Sequence, residues 1–151
     1  MIEPKRIIDQ KILFLLYIGN LEIVELIWNT TQDKNCPDNL GWTPVHHASV
    51  LQDIKILQYL FQVGCQKDPL DDTKSTPLHL AAFSGKIKSV EYLLNQGLRM
   101  NLRDQFGRTP LDIAQSERHE DIAELFLSRD SRRSKENWSK LVRHFSNKTK
   151  F

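Results

Sequence analysis

The chain has 151 residues, 40% hydrophobic and 26% charged, with two cysteines and a formal net charge of +2. That balance excludes long disorder and a disulfide framework, and the one early apolar run, residues 12–18, is too short to span a bilayer and lacks a cleavage site of small residues. The charge is uneven: residues 1–130 carry 14 Lys/Arg against 18 Asp/Glu, a balance of −4, whereas residues 131–151 carry 7 against 1, a balance of +6.

A six-residue pattern recurs at a constant step of 33 residues: Thr43-Pro-Val-His-His-Ala48, Thr76-Pro-Leu-His-Leu-Ala81 and Thr109-Pro-Leu-Asp-Ile-Ala114. An ungapped period of that length means stacked supersecondary units that bury their faces on one another. One step before Thr43 lies Gln10, so the opening segment is a degenerate copy that has lost its Thr-Pro start. It keeps its second half, because Gly19 to Ile27 aligns without a gap with Gln52 to Leu60, Gly85 to Leu93 and Arg118 to Phe126. The expected units are about 8–40, 41–73, 74–106 and 107–130, together one domain over residues 1–130.

Each unit predicts two helices. Thr before Pro starts the first, since Thr caps orphan amides and Pro at the first helical position has no amide to leave unpaired. A second apolar-periodic stretch follows, such as Val90, Leu93 and Leu94, and Gly64 and Gly97 end it. The connectors Asn35 to Trp42, Asp68 to Ser75 and Asn101 to Arg108 each hold an Asp at the same place, and Gly41 and Gly107 complete a turn chemistry that predicts hairpin-like fingers. Lys74 stands where the other fingers have Gly; if the position needs a positive φ, strain or a changed turn is expected there.

The Thr-Pro-Leu-His-x-Ala pattern, the second helix of the form Gly-x-x-x-x-Val-x-x-Leu-Leu and the Asn-x-x-Asp finger, all in fixed register over residues 8–130, resemble the ankyrin repeat. The resemblance implies an all-α repeat solenoid: a stack of helix-turn-helix units with β-hairpin fingers at right angles, binding partners through the fingers and the concave face of the inner helices. The departures are the missing Thr-Pro in the first copy, Lys74, and Arg118 in place of Gly.

His46, His47, His79 and His119 invite a catalytic or metal-binding reading, but no Cys or carboxylate recurs beside them at ligand spacing. The resemblance gives His46 and His79 a structural role, tying neighbouring finger backbones together. No HExxH, phosphate loop or nucleophile elbow occurs, so no enzyme activity, cofactor, metal or small-molecule substrate is expected.

The positions that the scaffold leaves free are more informative. At two matching positions of the four copies stand Tyr17 and Ile18, Val50 and Leu51, Phe83 and Ser84, and Ser116 and Glu117, so the first three copies each supply at least one large apolar or aromatic side chain. The fingers add Leu40, Asp72, Phe106, Trp42, Arg103 and Arg108. A contiguous apolar patch with aromatics and a polar surround is the composition of a protein interface. The expected partner-binding set is Tyr17, Leu40, Trp42, Val50, Leu51, Asp72, Phe83, Arg103, Phe106 and Arg108, with Trp42 and Phe106 exposed; Ile18 and Leu51 could instead turn into the seams between copies. Asn101 and Asn35 open their fingers, and the resemblance makes Asn101 a candidate for asparagine hydroxylation, although a structural role for that side chain is a sufficient explanation.

Residues 131–151 do not continue the repeat. Trp138, Leu141, Val142 and Phe145 fall at i, i+3, i+4 and i+7, an amphipathic helix pattern with Ser134 as N-cap. Such a helix can cover the last repeat, dock in a partner groove, or lie on acidic lipid or nucleic acid. The function expected is a non-catalytic protein-protein interaction module, a small monomeric adaptor or competitive inhibitor in the cytoplasm and also the nucleus. The alternative is recruitment to an acidic membrane or nucleic acid through the basic tail.

Overall fold

A computed structural model of the chain describes residues 14, 16–29, 33–51 and 53–130. The segment expected to form an amphipathic tail helix, with Trp138, Leu141, Val142 and Phe145, lies outside the described residues. The helices are α1 (Leu21–Trp28), α2 (Pro44–Ser49), α3 (Lys55–Gln62), α4 (Pro77–Phe83), α5 (Ile87–Asn95) and α6 (Pro110–Ser116), with further helix at residues 16–18 and 120–130. None among the described residues is long and apolar enough to cross a membrane.

The Thr-Pro signal works as the chemistry demands. Thr43, Thr76 and Thr109 all hold extended backbone as N-caps, with Pro opening the helix. Thr76 Oγ1 accepts from the His79 amide, while the Thr76 amide donates back to His79 Nδ1 at 3.2 Å. Thr109 and Asp112 repeat this reciprocal box, the Thr109 amide reaching Asp112 Oδ2 at 2.8 Å. Two orphan donors per helix are thereby satisfied, which lets inner helices of only six or seven residues persist. At the far end of α3, the Cys65 amide donates to the Leu60 carbonyl and the Gly64 amide to the Phe61 carbonyl, the paired bonds that close a helix on a left-handed residue.

The stack forms because each amphipathic element has a neighbour one copy away. Inner helices pack in sequence, α2 on α4 and α4 on α6, while α3 and α5 back them and α1 packs on α3. One continuous core results, running through Leu16, Val24, Trp28, Ile56, Leu57, Leu60, Leu78, Val90, Leu93, Ile113, Ile122 and Phe126. Fully burying a side chain such as Leu57 or Leu93 contributes about 1.5–3 kcal/mol.

Among the described residues no strand forms, and the β-hairpin pairing expected of the fingers is not shown. Each finger is a five-residue turn closed by two backbone bonds, from Asp38 N to Trp42 O and Gly41 N to Asp38 O, from Asp71 N to Ser75 O and Lys74 N to Asp71 O, and from Asp104 N to Arg108 O and Gly107 N to Asp104 O. The reason lies in the Asp. One carboxylate oxygen takes the amides two and four residues on, Leu40 and Trp42 from Asp38, Thr73 and Ser75 from Asp71, Phe106 and Arg108 from Asp104, all at 2.8–2.9 Å. Those amides are occupied locally and cannot extend a ladder. The fingers still join side by side, since the Asp72 amide donates to the Leu40 carbonyl and the Gln105 amide to the Thr73 carbonyl.

Lys74 adopts φ 59°, beside φ 75° at Gly41 and 77° at Gly107 in the equivalent positions, so the second finger keeps the common turn at the cost of a left-handed lysine. Arg118 likewise adopts φ 60° at the end of α6.

Candidate functional site

The histidines come first because they fix the fingers. His46 Nε2 lies 3.1 Å from the Ser75 carbonyl, and His79 Nε2 lies 3.1 Å from the Arg108 carbonyl. A carbonyl only accepts, so Nε2 carries the proton and donates, while Nδ1 accepts from the amides of Thr43 and Thr76. Each imidazole therefore clamps one inner helix to the next finger. Burial, the largest influence, pushes both imidazoles below the ordinary histidine value, against the upward pull of the Ser75 and Arg108 carbonyls. His47, 3.0 Å from Asp38 Oδ2, is also lowered by burial despite the carboxylate's opposite pull. Among the described residues no group of three His, Cys, Asp or Glu side chains could hold a metal ion.

The second carboxylate oxygen of each finger Asp faces a different partner. Asp38 uses it for His47, Asp71 for the indole Nε1–H of Trp42 at 3.1 Å, and Asp104 for the Arg108 guanidinium at 2.8 and 2.9 Å. Burial pushes the Asp104 carboxyl up, but the Arg108 amide and guanidinium and the Phe106 amide outweigh it and hold the pKa below the usual carboxylate value. Trp42 also packs on His46 and His47, with ring centroids 6.5 and 5.0 Å apart. It is therefore half-buried, not exposed as expected, and it fixes the first finger to the second.

Between the row of fingers and the inner helices lies a groove of about 510 Å³. Its outline follows from side-chain size in register. The first finger supplies Leu40 and Trp42 and the third Phe106 and Arg108, whereas the same two positions of the middle finger are Thr73 and Ser75. Small side chains between large ones leave a notch. Its floor is Val50, Leu80, Phe83, Ser84 and Ile113 from the inner helices, with His79 and Asp71 behind and Asp72 at the rim. Phe106 is 69% exposed, Leu40 62% and Phe83 55%. The Arg108 guanidinium sits over the Phe106 ring, 5.0 Å from its centroid, a cation–π contact.

Of the ten residues expected at a partner surface, Leu40, Trp42, Val50, Asp72, Phe83, Phe106 and Arg108 line this one groove. Tyr17 is exposed in the first copy but is not part of the lining, as is Ile18. Leu51 is a correction: it turns in against the core, and its carbonyl lies 3.5 Å from the Ser89 hydroxyl of the next copy. Arg103 spends its guanidinium on the Gly107 carbonyl of its own finger and lies 3.9 Å from Asp112. Sequence reasoning missed Thr73, Ser75 and Leu80; the signal was present, since Thr73 aligns with Leu40 and Phe106, but their smallness was not recognised as shaping a hollow.

Asn35 Oδ1 accepts from the Gln66 amide at 2.7 Å, which joins successive copies instead of bracing its own finger. Asn101 is exposed. Both cysteines are buried, and burial pushes the Cys65 thiol up to about 11, which suits packing better than nucleophilic attack.

The family model for ankyrin repeats, in three copies, matches residues 53–137, more than half of the chain. The chain belongs to the ankyrin-repeat family. Ankyrin repeats are in general protein-protein interaction modules and are typically non-catalytic. The match begins after the first copy and runs past residue 130. No curated protein matches the chain.

Proposed function

We propose that this ankyrin chain is a non-catalytic adaptor or competitive inhibitor that holds one partner protein in the groove centred on the second finger. The observation that supports this is the groove itself: a hollow of about 510 Å³ with Leu40, Phe83 and Phe106 each more than half exposed around it. Exposed aromatic and aliphatic side chains around a hollow, on a frame fixed by hydrogen bonds, are what an interface needs to anchor a partner at small ordering cost. A partner footprint of typical size, about 1,600 Å² in total, would cover the finger tips and the concave helix ends together. The location proposed is the cytoplasm, extending to the nucleus; its support is a sequence with two cysteines, too few for a disulfide framework.

The test is capture of partners by the intact chain beside Leu40→Ala, Phe106→Ala. Trp42 is a poor probe, because its indole braces two fingers. Each anchor truncation is expected to cost on the order of 2 kcal/mol of binding, about 30-fold in affinity. Unchanged affinity in the doubly substituted chain for every captured partner would reject the groove as the binding surface.

A further inference from the structure

The last copy presents a face that no interior copy presents. In the third copy Ala82, Gly85, Ile87 and Val90 form the seam that the fourth copy covers, and Ala82 and Val90 are fully buried there. Thirty-three residues later stand Gln115, Arg118, Glu120 and Ala123. The seam between the third and fourth copies also depends on its glycine: His119 of the fourth copy sits so close to Gly85 that a Cβ there would lie 2.7 Å from its ring, and its Nε2 reaches the Phe83 carbonyl. Arg118 carries a side chain at that position, so a further copy could not pack here in the way the fourth copy packs His119 on Gly85. What the face offers is a hollow of about 370 Å³ lined by Ala114, Ala123 and Leu127 and rimmed by Glu120, Glu124 and Arg118. Ala123 in place of Val90 opens its floor, and Leu127 stands 50% exposed beside it. It shares no residue with the groove.

We propose that residues 131–151 of the same chain dock on this face, seating Trp138 and Leu141 in the hollow and setting their basic side chains against Glu120 and Glu124. Three observations support that occupant. The segment follows directly on the helical residues 120–130 that carry Glu120, Ala123, Glu124 and Leu127. Its balance of +6 complements the carboxylates of the rim. Its large apolar side chains at i, i+3, i+4 and i+7 supply the bulk that the Ala floor lacks. Docking seals the end of the stack with a basic amphipathic segment and withdraws that segment from other surfaces.

The test uses the full chain. Subtracting the emission of Trp138→Phe from that of the unsubstituted protein isolates Trp138. The expected result is a blue-shifted Trp138 shielded from iodide, released to solvent by Leu127→Glu and by Glu120→Lys, Glu124→Lys. Leu127 is half exposed, so Leu127→Glu keeps the fold, and circular dichroism verifies it; the charge-reversed chain acts without touching apolar packing. In melting experiments Leu127→Glu and Leu141→Glu should each lower Tm by several degrees and together lower it no further, because residues in one contact are not additive. A Trp138 equally quenched in all variants, additive losses, or shielding that rises with protein concentration and so reports a second copy would each overturn the proposal.

Discussion

The fingers provide a pair of substitutions at one structural position with opposite expected signs. Gly41, Lys74 and Gly107 share the left-handed turn, at φ 75°, 59° and 77°. A non-glycine residue there carries roughly 1–2 kcal/mol of steric strain, whereas glycine carries about 0.5–1 kcal/mol more conformational entropy in the unfolded chain. Lys74 is exposed, and its amide bond to the Asp71 carbonyl survives in glycine. Lys74→Gly should therefore stabilise the protein by about 0.5–1 kcal/mol, a rise in Tm of roughly 1–4 °C for a chain of this size. Gly41→Ala should do the reverse. A Cβ on Gly41 lies 2.5 Å from Asp72 Oδ1 and 2.6 Å from the Asp72 amide nitrogen, so the left-handed strain is joined by displacement of the second finger. Losing the bond from Asp72 N to Leu40 O adds about 1 kcal/mol, and the glycine entropy offsets about 0.5–1 kcal/mol, for a net loss near 1.5–2 kcal/mol. Paired thermal and urea denaturation measures both. A destabilised Lys74→Gly chain, or a Gly41→Ala chain as stable as the parent, would refute the argument from backbone conformation.

Acid should weaken the stack through the clamping histidines. His46 and His79 have folded values below the ordinary 6.5, so the unfolded chain binds their protons first; their stabilisation is complete above about pH 6.5 and is lost as pH falls through the lower folded values. Urea midpoints between pH 5 and 7.5 check this, and a flat profile would contradict it. Trp42→Phe removes the indole bond to Asp71 and should cost about 1.5–3 kcal/mol, the range for a hydrogen bond to a charged group, measurable as a lower urea midpoint. On co-expression with an asparagine hydroxylase, the exposed Asn101 is expected to gain one oxygen, visible by mass spectrometry of the peptide containing it.

The scaffold was legible because its signals are local and repeated. Thr76, Pro77 and His79 state a helix start within four residues, and the step of 33 carries that statement along the chain. The fingers were legible as turns from Asp38, Asp71 and Asp104, but their form is decided by bonds such as those from the Thr73 and Ser75 amides to Asp71 Oδ1, which the residue types alone do not state. At the groove, positions outran orientations. Register places Leu40, Phe83 and Phe106 together, but it cannot say that Leu51 turns inward or that the Trp42 indole finds Asp71 one finger away. Those outcomes depend on contacts between copies. The notch depended on a contrast in size, Thr73 and Ser75 between larger neighbours, which a search for conspicuous aromatics passes over.

The most direct test of the central claim is hydrogen exchange of the intact chain, free and saturated with a captured partner. If the groove is the binding surface, protection should rise at the finger tips 39–41, 72–74 and 105–107 and at the concave helix ends around Val50 and Phe83. Protection confined to the outer helices 55–62 and 87–95, with the finger tips unchanged, would contradict it.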